Sequence, residues 1–139
     1  MKTIEAYRIK EEGYHPFLIR EGWQVAQLNY VDTYEIKNID KLDIHHHTDE
    51  VFILLKGKAV LIGARFIENS PVFEMELMKP NITYNVPQNT WHNIAMEEGS
   101  EVIIIEKSNT HLTDFEFHYL TAEEREALIE LVTQLLNVV

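Results

Sequence analysis

The most informative part of this 139-residue sequence is residues 45–57, HHHTDEVFILLKG, in which three adjacent histidines precede an acidic pair and a β-rich run. In a β-strand alternate side chains share a face, so His45 and His47 would point the same way and His46 would point away. The Cα atoms of His45 and His47 would lie about 6.5–7 Å apart. From that spacing two imidazoles can reach one ion at Zn–N distances of about 2.0–2.1 Å. Since neutral imidazole is the commonest metal ligand among side chains, this stretch predicts part of a metal site.

A third ligand has to come from elsewhere in the chain, and His92 is the candidate. It follows the segment VPQNTW, residues 86–91, which has the composition of a turn leading into a short strand. Pro87 fixes φ, and Asn89 tolerates the left-handed conformation that such a turn often needs. The sequence therefore predicts that a turn presents His92 on a second strand.

Short β-rich runs separated by turn residues extend along most of the chain. They are residues 25–30, 44–47, 51–55, 59–67, 72–77, 82–86, 102–106 and 115–119. Several short strands at this spacing are typical of an all-β sandwich or barrel. We therefore predict an all-β fold.

The C-terminal residues follow a different pattern. Thr121, followed three residues later by Glu124, forms the signature of a capping box at a helix N-terminus. Apolar residues then recur at helical spacing, namely Leu128, Leu131, Val132, Leu135 and Leu136. This pattern predicts an amphipathic α-helix over about residues 121–137, packed on the sheet or on a partner subunit. Its polar face is rich in glutamate rather than in lysine and arginine, which disfavours a membrane-surface role.

Two segments resemble the two sequence motifs of the cupin family. Residues 50–57, EVFILLKG, resemble the end of the first motif, a glutamate and a glycine separated by six residues, and paired histidines precede them. Residues 87–92, PQNTWH, resemble the second motif, with Asn89 where glycine is usual. The resemblance covers about residues 20–120 and implies a double-stranded β-helix, or jelly roll, whose ligands converge inside one barrel. We therefore predict a single cupin domain over residues 1–139, with a C-terminal α-helix after the barrel.

The spacing within the first motif leaves its register open. The family usually has three or four residues between its second histidine and its glutamate, whereas only two residues separate His47 from Glu50. Counting the usual gap back from Glu50 gives other pairs of ligands, which are His46 with Ile44 or His45 with Asp43. We prefer His45 with His47 because a shortened turn needs only one local adjustment, and His46 remains an alternative.

The resemblance and the spacing together predict four metal ligands: His45, His47, Glu50 and His92. Glu50 either binds the ion directly or orients a histidine ring. Imidazoles with one carboxylate suit several divalent transition metals, among them Zn, Fe, Mn and Ni, and do not choose between them. Three protein ligands would leave open positions for a substrate. The other histidines are interpreted as ordinary, partly exposed residues: His15, His111 and His118.

The leading hypothesis is a small metal-dependent enzyme that acts on a small polar metabolite of the sugar or carboxylate class. Related cupins include dioxygenases, decarboxylases, sugar isomerases and epimerases, and pure binding proteins, so the resemblance implies a site rather than a reaction. Two alternatives stay open. One is a non-catalytic binding or sensing protein, and the other is a metal-free sugar isomerase or epimerase in which a pocket histidine acts as general base. Whether the chain is an enzyme is therefore open at this point.

Composition and charge exclude several other classes. The chain has no cysteine, which excludes disulfides, thiol catalysis and cysteine-ligated metals. Its net charge is −11, and its 12 basic residues form no stripe that could bind nucleic acid. No apolar run approaches the roughly 20 residues that cross a bilayer, and residues 1–12 lack the apolar segment of a secretory signal. We therefore expect a cytoplasmic protein with a small-molecule ligand and no nucleic-acid or membrane partner, and from the family and the helix stripe we expect a homodimer.

Overall fold

The computed structural model describes residues 3–138, which form ten β-strands and two α-helices. The strands are β1 (Gly13–Arg20), β2 (Trp23–Asn29), β3 (Lys41–Ile44), β4 (Glu50–Lys56), β5 (Ala59–Ile67), β6 (Ser70–Leu77), β7 (Thr83–Val86), β8 (Trp91–Met96), β9 (Glu101–Glu106) and β10 (Glu116–Tyr119). The helices are α1 (Thr110–Thr113) and α2 (Ala122–Leu136), and two short 3-10 helices, Asp32–Tyr34 and Ile36–Asn38, connect β2 to β3. None of the helices within residues 3–138 has the length and apolarity to span a membrane.

The strands form two five-stranded antiparallel sheets. Sheet A has the order β1-β2-β9-β4-β7, and sheet B has the order β10-β3-β8-β5-β6. In both sheets, strands that are far apart in sequence are neighbours, as they are in a jelly roll. The pairing of β3 with β8 places Asp43 directly opposite His92. The predicted all-β double-stranded β-helix is therefore confirmed.

The inner core fills the space between the two sheets. Every second side chain of a strand points to the same face, so buried and less buried positions alternate along each strand. In β9, EVIIIE, the buried positions are Val102, Ile104 and Glu106. The inner core consists of twelve residues: Ala26, Leu28, Phe52, Leu54, Ala59, Leu61, Met78, Val86, Ile94, Met96, Val102 and Ile104. Because Glu106 continues the inward phase of β9, this strand carries a carboxyl group to the end of the barrel interior.

The outer core lies on the other face of sheet B, under helix α2. It consists of Ile39, Leu42, Val60, Ile62, Ala64, Ala95, Leu128 and Val132. The predicted helix is confirmed, and its capping box is formed, since the Thr121 hydroxyl accepts from the backbone N–H of Glu124 and the Glu124 carboxylate accepts from the backbone N–H of Thr121. Its own sheet covers Leu128 and Val132, so these residues need no partner subunit, and the homodimer stays a prediction.

The strand predicted at residues 44–47 differs from the observed one. Strand β3 ends at Ile44, and the three histidines lie in the turn that connects it to β4. The Asp114 carboxylate accepts hydrogen bonds from the backbone N–H groups of His46 (2.8 Å) and His47 (3.0 Å). These two N–H groups are therefore taken by a side chain, and the chain leaves the sheet at this point.

Strand β1 was not predicted, because Gly13 and Pro16 give its sequence, GYHPFLIR, the composition of a turn. Proline lacks the N–H that a central strand requires and is confined to edges and irregularities. Strand β1 is an edge strand of sheet A, and its register with β2 shifts between His15 and Leu18. The edge position thus accommodates the proline.

Candidate metal site

Four side chains from both sheets converge at one end of the barrel interior. Asp43 is on β3, His45 follows that strand, Glu50 begins β4 and His92 is on β8. Oε1 of Glu50 lies 2.7 Å from Nε2 of His92 and 3.3 Å from Nε2 of His45. Oδ2 of Asp43 lies 3.6 Å from Nε2 of His45 and 3.7 Å from Nε2 of His92. Ligand atoms of Asp43, His45 and His92 thus lie within 4.8 Å of one another, and Oε1 of Glu50 lies next to both imidazole nitrogens.

The orientation of both histidine rings is set by backbone carbonyl groups. Nδ1 of His45 lies 2.6 Å from the carbonyl oxygen of Asp114, and Nδ1 of His92 lies 2.9 Å from that of Thr90. A carbonyl oxygen can only accept, so each Nδ1 carries a proton and donates it. In the neutral ring Nε2 then has a free lone pair, and this lone pair faces the carboxylates. In metal sites, a hydrogen bond from the other ring nitrogen to a carbonyl oxygen orients a histidine ligand in the same way.

The surroundings of Oε1 of Glu50 show whether a cation fits these residues. This atom is buried, and no well-directed hydrogen bond reaches it from residues 3–138, although Nε2 of His92 is only 2.7 Å away. A buried carboxylate oxygen without a partner is costly, and a cation that it can bind removes that cost. The donor set of two imidazole nitrogens and two carboxylate oxygens is one that divalent transition metals accept. The residues present therefore fit a metal ion.

The pKa values of the cluster describe its charge when no cation balances it. Burial opposes the charged form of His92, but the adjacent carboxylates of Glu50 and Asp43 outweigh it and raise the pKa of His92 to about 9. Burial likewise opposes the charged form of His45, and Glu50 again outweighs it and raises the pKa of His45 to about 9. Burial raises the pKa of Glu50, but the two histidines outweigh it and hold that pKa below its usual range. The carboxylates thus attract positive charge to this point, whether protons or a metal ion supply it.

The structure brings together three of the four predicted ligands, His45, Glu50 and His92, and leaves out the fourth. His47 is exposed in the turn after β3. Its place is taken by Asp43, which lies two residues before His45 and shares its face. Because β3 ends at Ile44, the strand alternation that we expected for His45 and His47 applies instead to Asp43 and His45. In the sequence, this pair was indicated by the family's usual spacing between the second ligand and the glutamate, which counted back from Glu50 gives His45 with Asp43.

His46, the alternative ligand, also lies outside the cluster. Its Nδ1 lies 2.8 Å from Oδ1 of Asn89, and its Nε2 contacts the carboxylate of Glu116. Asn89 has a positive φ of 64°, as the sequence of the turn before His92 predicts. His46 therefore joins the two motif turns to β10, and its role here is structural.

A cavity of about 250 Å³ opens beside the cluster. Aromatic side chains line much of it: Tyr14, Tyr34, Phe52, Phe115 and Phe117. Glu106 and His111 contribute polar groups to the same wall. His111 is partly exposed, as expected, and helix α1 also places it at the cavity, which the sequence analysis did not anticipate. The sequence held no signal for this, since residues 110–113 show no helical periodicity.

Glu106 is a second buried carboxyl group that sequence analysis missed. Its Oε1 accepts from the Tyr14 hydroxyl (2.9 Å) and from Nε2 of Gln24 (3.1 Å), and a ligand atom of Glu106 lies within 4.8 Å of those of His45 and Glu50. Burial and the nearby charge of Glu50 raise the pKa of Glu106 to about 8. Such a group can hold or accept a proton near neutral pH. The signal for it was the inward phase of β9, in which Glu106 follows two buried apolar positions.

Comparisons with known proteins relate the fold to solved structures. No protein-family model matches the chain, and no curated protein sequence matches it. A PAC13 variant from Streptomyces with uridine has a TM-score of 0.54 and 11% identity, over 88% of this chain and 96% of that one. The QdtA 3,4-ketoisomerase from Thermoanaerobacterium thermosaccharolyticum, in complex with TDP, has a TM-score of 0.51 and 21% identity, over 86% and 76%. A cupin-2 domain containing protein from Shewanella frigidimarina has a TM-score of 0.46 and 17% identity, over 71% and 84%.

At these identities the similarities concern the fold alone. Two facing antiparallel sheets form the jelly roll, and β4 and β8 carry the residues of the two cupin motifs to one end of its interior. The two similar structures with TM-scores above 0.5 cover 88% and 86% of this chain, so the fold likeness extends over most of its length. The chain therefore has the double-stranded β-helix fold that the motif resemblance at residues 45–57 and 87–92 implies.

Proposed function

We propose that this cupin is a small metal-dependent enzyme that acts on a small polar metabolite of the sugar or carboxylate class. Four residues would hold a divalent transition metal: Asp43, His45, Glu50 and His92. The observation that carries the proposal is the convergence of two imidazole Nε2 atoms and two carboxylates, with both Nδ1 protons committed to backbone carbonyls. A bound ion would polarise a carbonyl oxygen or lower the pKa of a bound water.

The charges of these residues support a divalent ion. Two neutral imidazoles and two ionised carboxylates carry a formal charge that one divalent cation balances. Glu50 and His92 are each less than 10% exposed, at 6% and 3%. Because unbalanced charge is costly at such depth, a cation of matching charge stabilises the arrangement. The mixture of nitrogen and oxygen ligands suits Zn, Fe, Mn or Ni.

The volume and the lining of the cavity favour a small ligand. Its volume, about 250 Å³, lies just below the range of about 300–1,000 Å³ that is usual for ligand pockets. Phe52 and the aromatic residues around it form apolar walls of the cavity, while Glu106 and His111 offer polar contacts to a ligand. The two similar structures with TM-scores above 0.5 are described with uridine and with TDP, which supports a sugar-containing ligand over a simple carboxylate.

Metal analysis of variants in the histidine turn tests the proposal. The purified protein is equilibrated separately with Mn²⁺, Fe²⁺, Ni²⁺ and Zn²⁺, and bound metal is measured by mass spectrometry after dialysis. We expect the wild type to retain one ion per chain and His45→Ala and His92→Ala to lose it. His47→Ala is the matched control, since it lies two residues from His45 but is exposed. A wild type without metal, or a His47→Ala variant that loses it while His45→Ala retains it, would contradict the proposal.

A metal-free sugar isomerase or epimerase is the second candidate, and one observation favours it. The raised pKa values of His45 and His92, both about 9, leave protonated rings beside the cavity when no cation is bound. Such rings can act as general acids. Incubation with a panel of sugars with and without EDTA separates the candidates. Turnover that survives removal of the metal favours the second, and turnover that EDTA abolishes and metal restores favours the first.

A further inference from the structure

A hydrogen-bonded network lines the cavity wall next to Glu106, and Gln24 is at its centre. The Gln24 side chain is fully buried, with 0% exposure. Its Oε1 accepts a hydrogen bond of 2.8 Å from the backbone N–H of Asn109. A backbone N–H can only donate, so the side-chain oxygen of Gln24 must face Asn109. The amide NH₂ group of Gln24 is thereby directed towards the other members of the network.

The two N–H groups of Gln24 have three acceptors within reach, the Tyr14 hydroxyl at 3.2 Å, Oε1 of Glu106 at 3.1 Å and Nδ1 of His111. A hydrogen bond to His111 favours one tautomer of its ring. Nε2 of Gln24 lies 3.1 Å from Nδ1 of His111. An amide nitrogen has no acceptor capacity, so the hydrogen bond forms only if Nδ1 of His111 accepts. The neutral ring of His111 then has its proton on Nε2, on the opposite side of the ring from Gln24. The rings of His45 and His92 have the other tautomer, with the proton on Nδ1, because a backbone carbonyl oxygen faces each Nδ1.

The position of His111 makes this N–H available to a ligand. Asn109 adopts the left-handed conformation, with φ of 64°, at the start of helix α1, and the helix places His111 in the cavity lining. The ring centroid of His111 lies 5.9 Å from that of Tyr14, which also lines the cavity. Among residues 3–138, no side chain or carbonyl group forms a hydrogen bond with Nε2 of His111.

His111 and the metal cluster line the same cavity, and a chain of polar contacts connects them. Nε2 of Gln24 lies within 3.1 Å of both Nδ1 of His111 and Oε1 of Glu106. Glu106 in turn lies within 4.8 Å of the ligand atoms of His45 and Glu50. A small molecule in the cavity can therefore contact the cluster with one polar group and His111 with another.

We propose that His111 is a substrate-binding residue, whose Nε2–H donates a hydrogen bond to an oxygen of the substrate while another oxygen of the substrate lies at the metal cluster. The inference rests on the proposed function and narrows its substrate class. The substrate carries a carbonyl group and hydroxyl groups on a short carbon chain, as in a hydroxyketone or a small sugar. The cavity volume of about 250 Å³ fits a compound of this size.

The tautomer of His111 can be measured without any ligand. Protein labelled with ¹⁵N-histidine is studied by long-range ¹H–¹⁵N correlation spectroscopy, and the signals of His111 are assigned by their loss in His111→Gln. We expect the pattern of a neutral ring with its proton on Nε2. A proton on Nδ1 would overturn the inference, because Nε2 would then have nothing to donate to a substrate oxygen. This result does not depend on whether the protein binds metal.

Binding of two probes tests the contact itself. Protein loaded with Mn²⁺ is titrated with dihydroxyacetone and with hydroxyacetone, which lacks one hydroxyl group, and affinities are measured by NMR. We expect the wild type to bind dihydroxyacetone about threefold to tenfold more tightly, since this is the range of one net hydrogen bond. His111→Leu should remove the preference, and His111→Gln, which retains an N–H donor, should restore part of it. His15→Leu is the control, because His15 lies on β1 outside this cavity.

The outcomes separate this inference from the proposed function. If the wild type takes up no Mn²⁺, the proposed function fails, and the tautomer measurement still decides the state of His111. If Mn²⁺ binds but dihydroxyacetone does not bind, or His111→Leu keeps the same preference as the wild type, the inference is overturned and the metal site stands. Loss of the preference in His15→Leu would likewise overturn it, because the effect would then not be specific to His111.

Discussion

The inner core and the outer core lie on opposite faces of sheet B and differ in what they contain. The inner core has an apolar interior that ends in a cluster of histidines and carboxylates, whereas the outer core consists of apolar residues alone. One strand serves both. In β8, His92 and Ile94 are buried on the inner face, and Ala95 belongs to the outer core. Strand alternation thus separates the residues that offer chemistry from those that hold helix α2.

Leu128→Ala should have the largest effect on stability, because it shortens a fully buried side chain. It should leave the metal site unchanged, because Leu128 belongs to the outer core. Leu128 is completely buried, and its truncation leaves a cavity that costs about 2–5 kcal/mol. The free energy of unfolding, measured by chemical denaturation, should fall by this amount, while the folded fraction should bind metal as the wild type does.

Leu131→Ala is the matched control on the same helix, since Leu131 is 42% exposed and should lose much less stability. A Leu128→Ala variant that folds normally but loses its metal would show that the two cores are not independent.

Asp43→Asn should have the largest effect on the inner site, because it removes one ligand charge and retains the size of the side chain. Metal affinity should fall at least about tenfold, the lower limit for groups that support a metal site. The measurement is competition with a chromogenic chelator. Asp40→Asn is the control, since Asp40 is exposed three residues earlier. If the metal affinity of Asp43→Asn equals that of the wild type, Asp43 is not the fourth ligand and another residue of the turn would have to supply it.

Asp114→Ala should have an intermediate effect on both properties. Its carboxylate holds the backbone N–H groups of His46 and His47, and this turn carries His45. Burial raises the pKa of Asp114, but these hydrogen bonds outweigh it and lower the pKa. We expect a loss of about 1–2 kcal/mol in unfolding free energy and weaker metal binding, both measured on the same preparation. Asp114→Asn, which keeps an acceptor oxygen, should recover part of each. Equal losses in the two variants would argue against a role for the hydrogen bonds.

Glu124→Gln should have the smallest effect, and that effect should depend on pH. Burial raises the pKa of Glu124, but the backbone N–H of Thr121 and the side chain of His118 outweigh it and lower the pKa. A group whose pKa is lower in the folded state stabilises it above the unfolded pKa and loses this contribution as pH falls through the folded value.

The variant should therefore be less stable than the wild type at pH 7, by a few tenths to about 1 kcal/mol, and the difference should shrink as the pH falls below the unfolded pKa of about 4.3 and through the lower folded value. Denaturation curves at pH 7 and at acidic pH measure it. Glu123→Gln, in the same first turn but without these hydrogen bonds, is the control. A difference that persists unchanged at low pH would exclude the carboxylate charge as its cause.

Local patterns were sufficient to predict the fold class, helix α2 and three of the four residues in the cluster. The capping box at Thr121 and the apolar spacing up to Leu136 act within a few residues, so the sequence displays them directly. The two cupin motifs likewise placed His45, Glu50 and His92 in one barrel. Strand β1 was missed because the composition of Gly13 to Pro16 indicates a turn, and only its place at a sheet edge makes a strand acceptable.

The amino-acid sequence alone determined that this chain forms a β-barrel with a terminal helix and that histidines and a glutamate meet inside it, because strand and helix periodicity and motif spacing are local properties. Only the tertiary structure decided that Asp43 replaces His47, because a carboxylate of Asp114 from another part of the chain ends strand β3 at Ile44. It also decided that Glu106 and His111 face the same cavity. Such contacts depend on which distant segments pack together, and no local pattern contains that information.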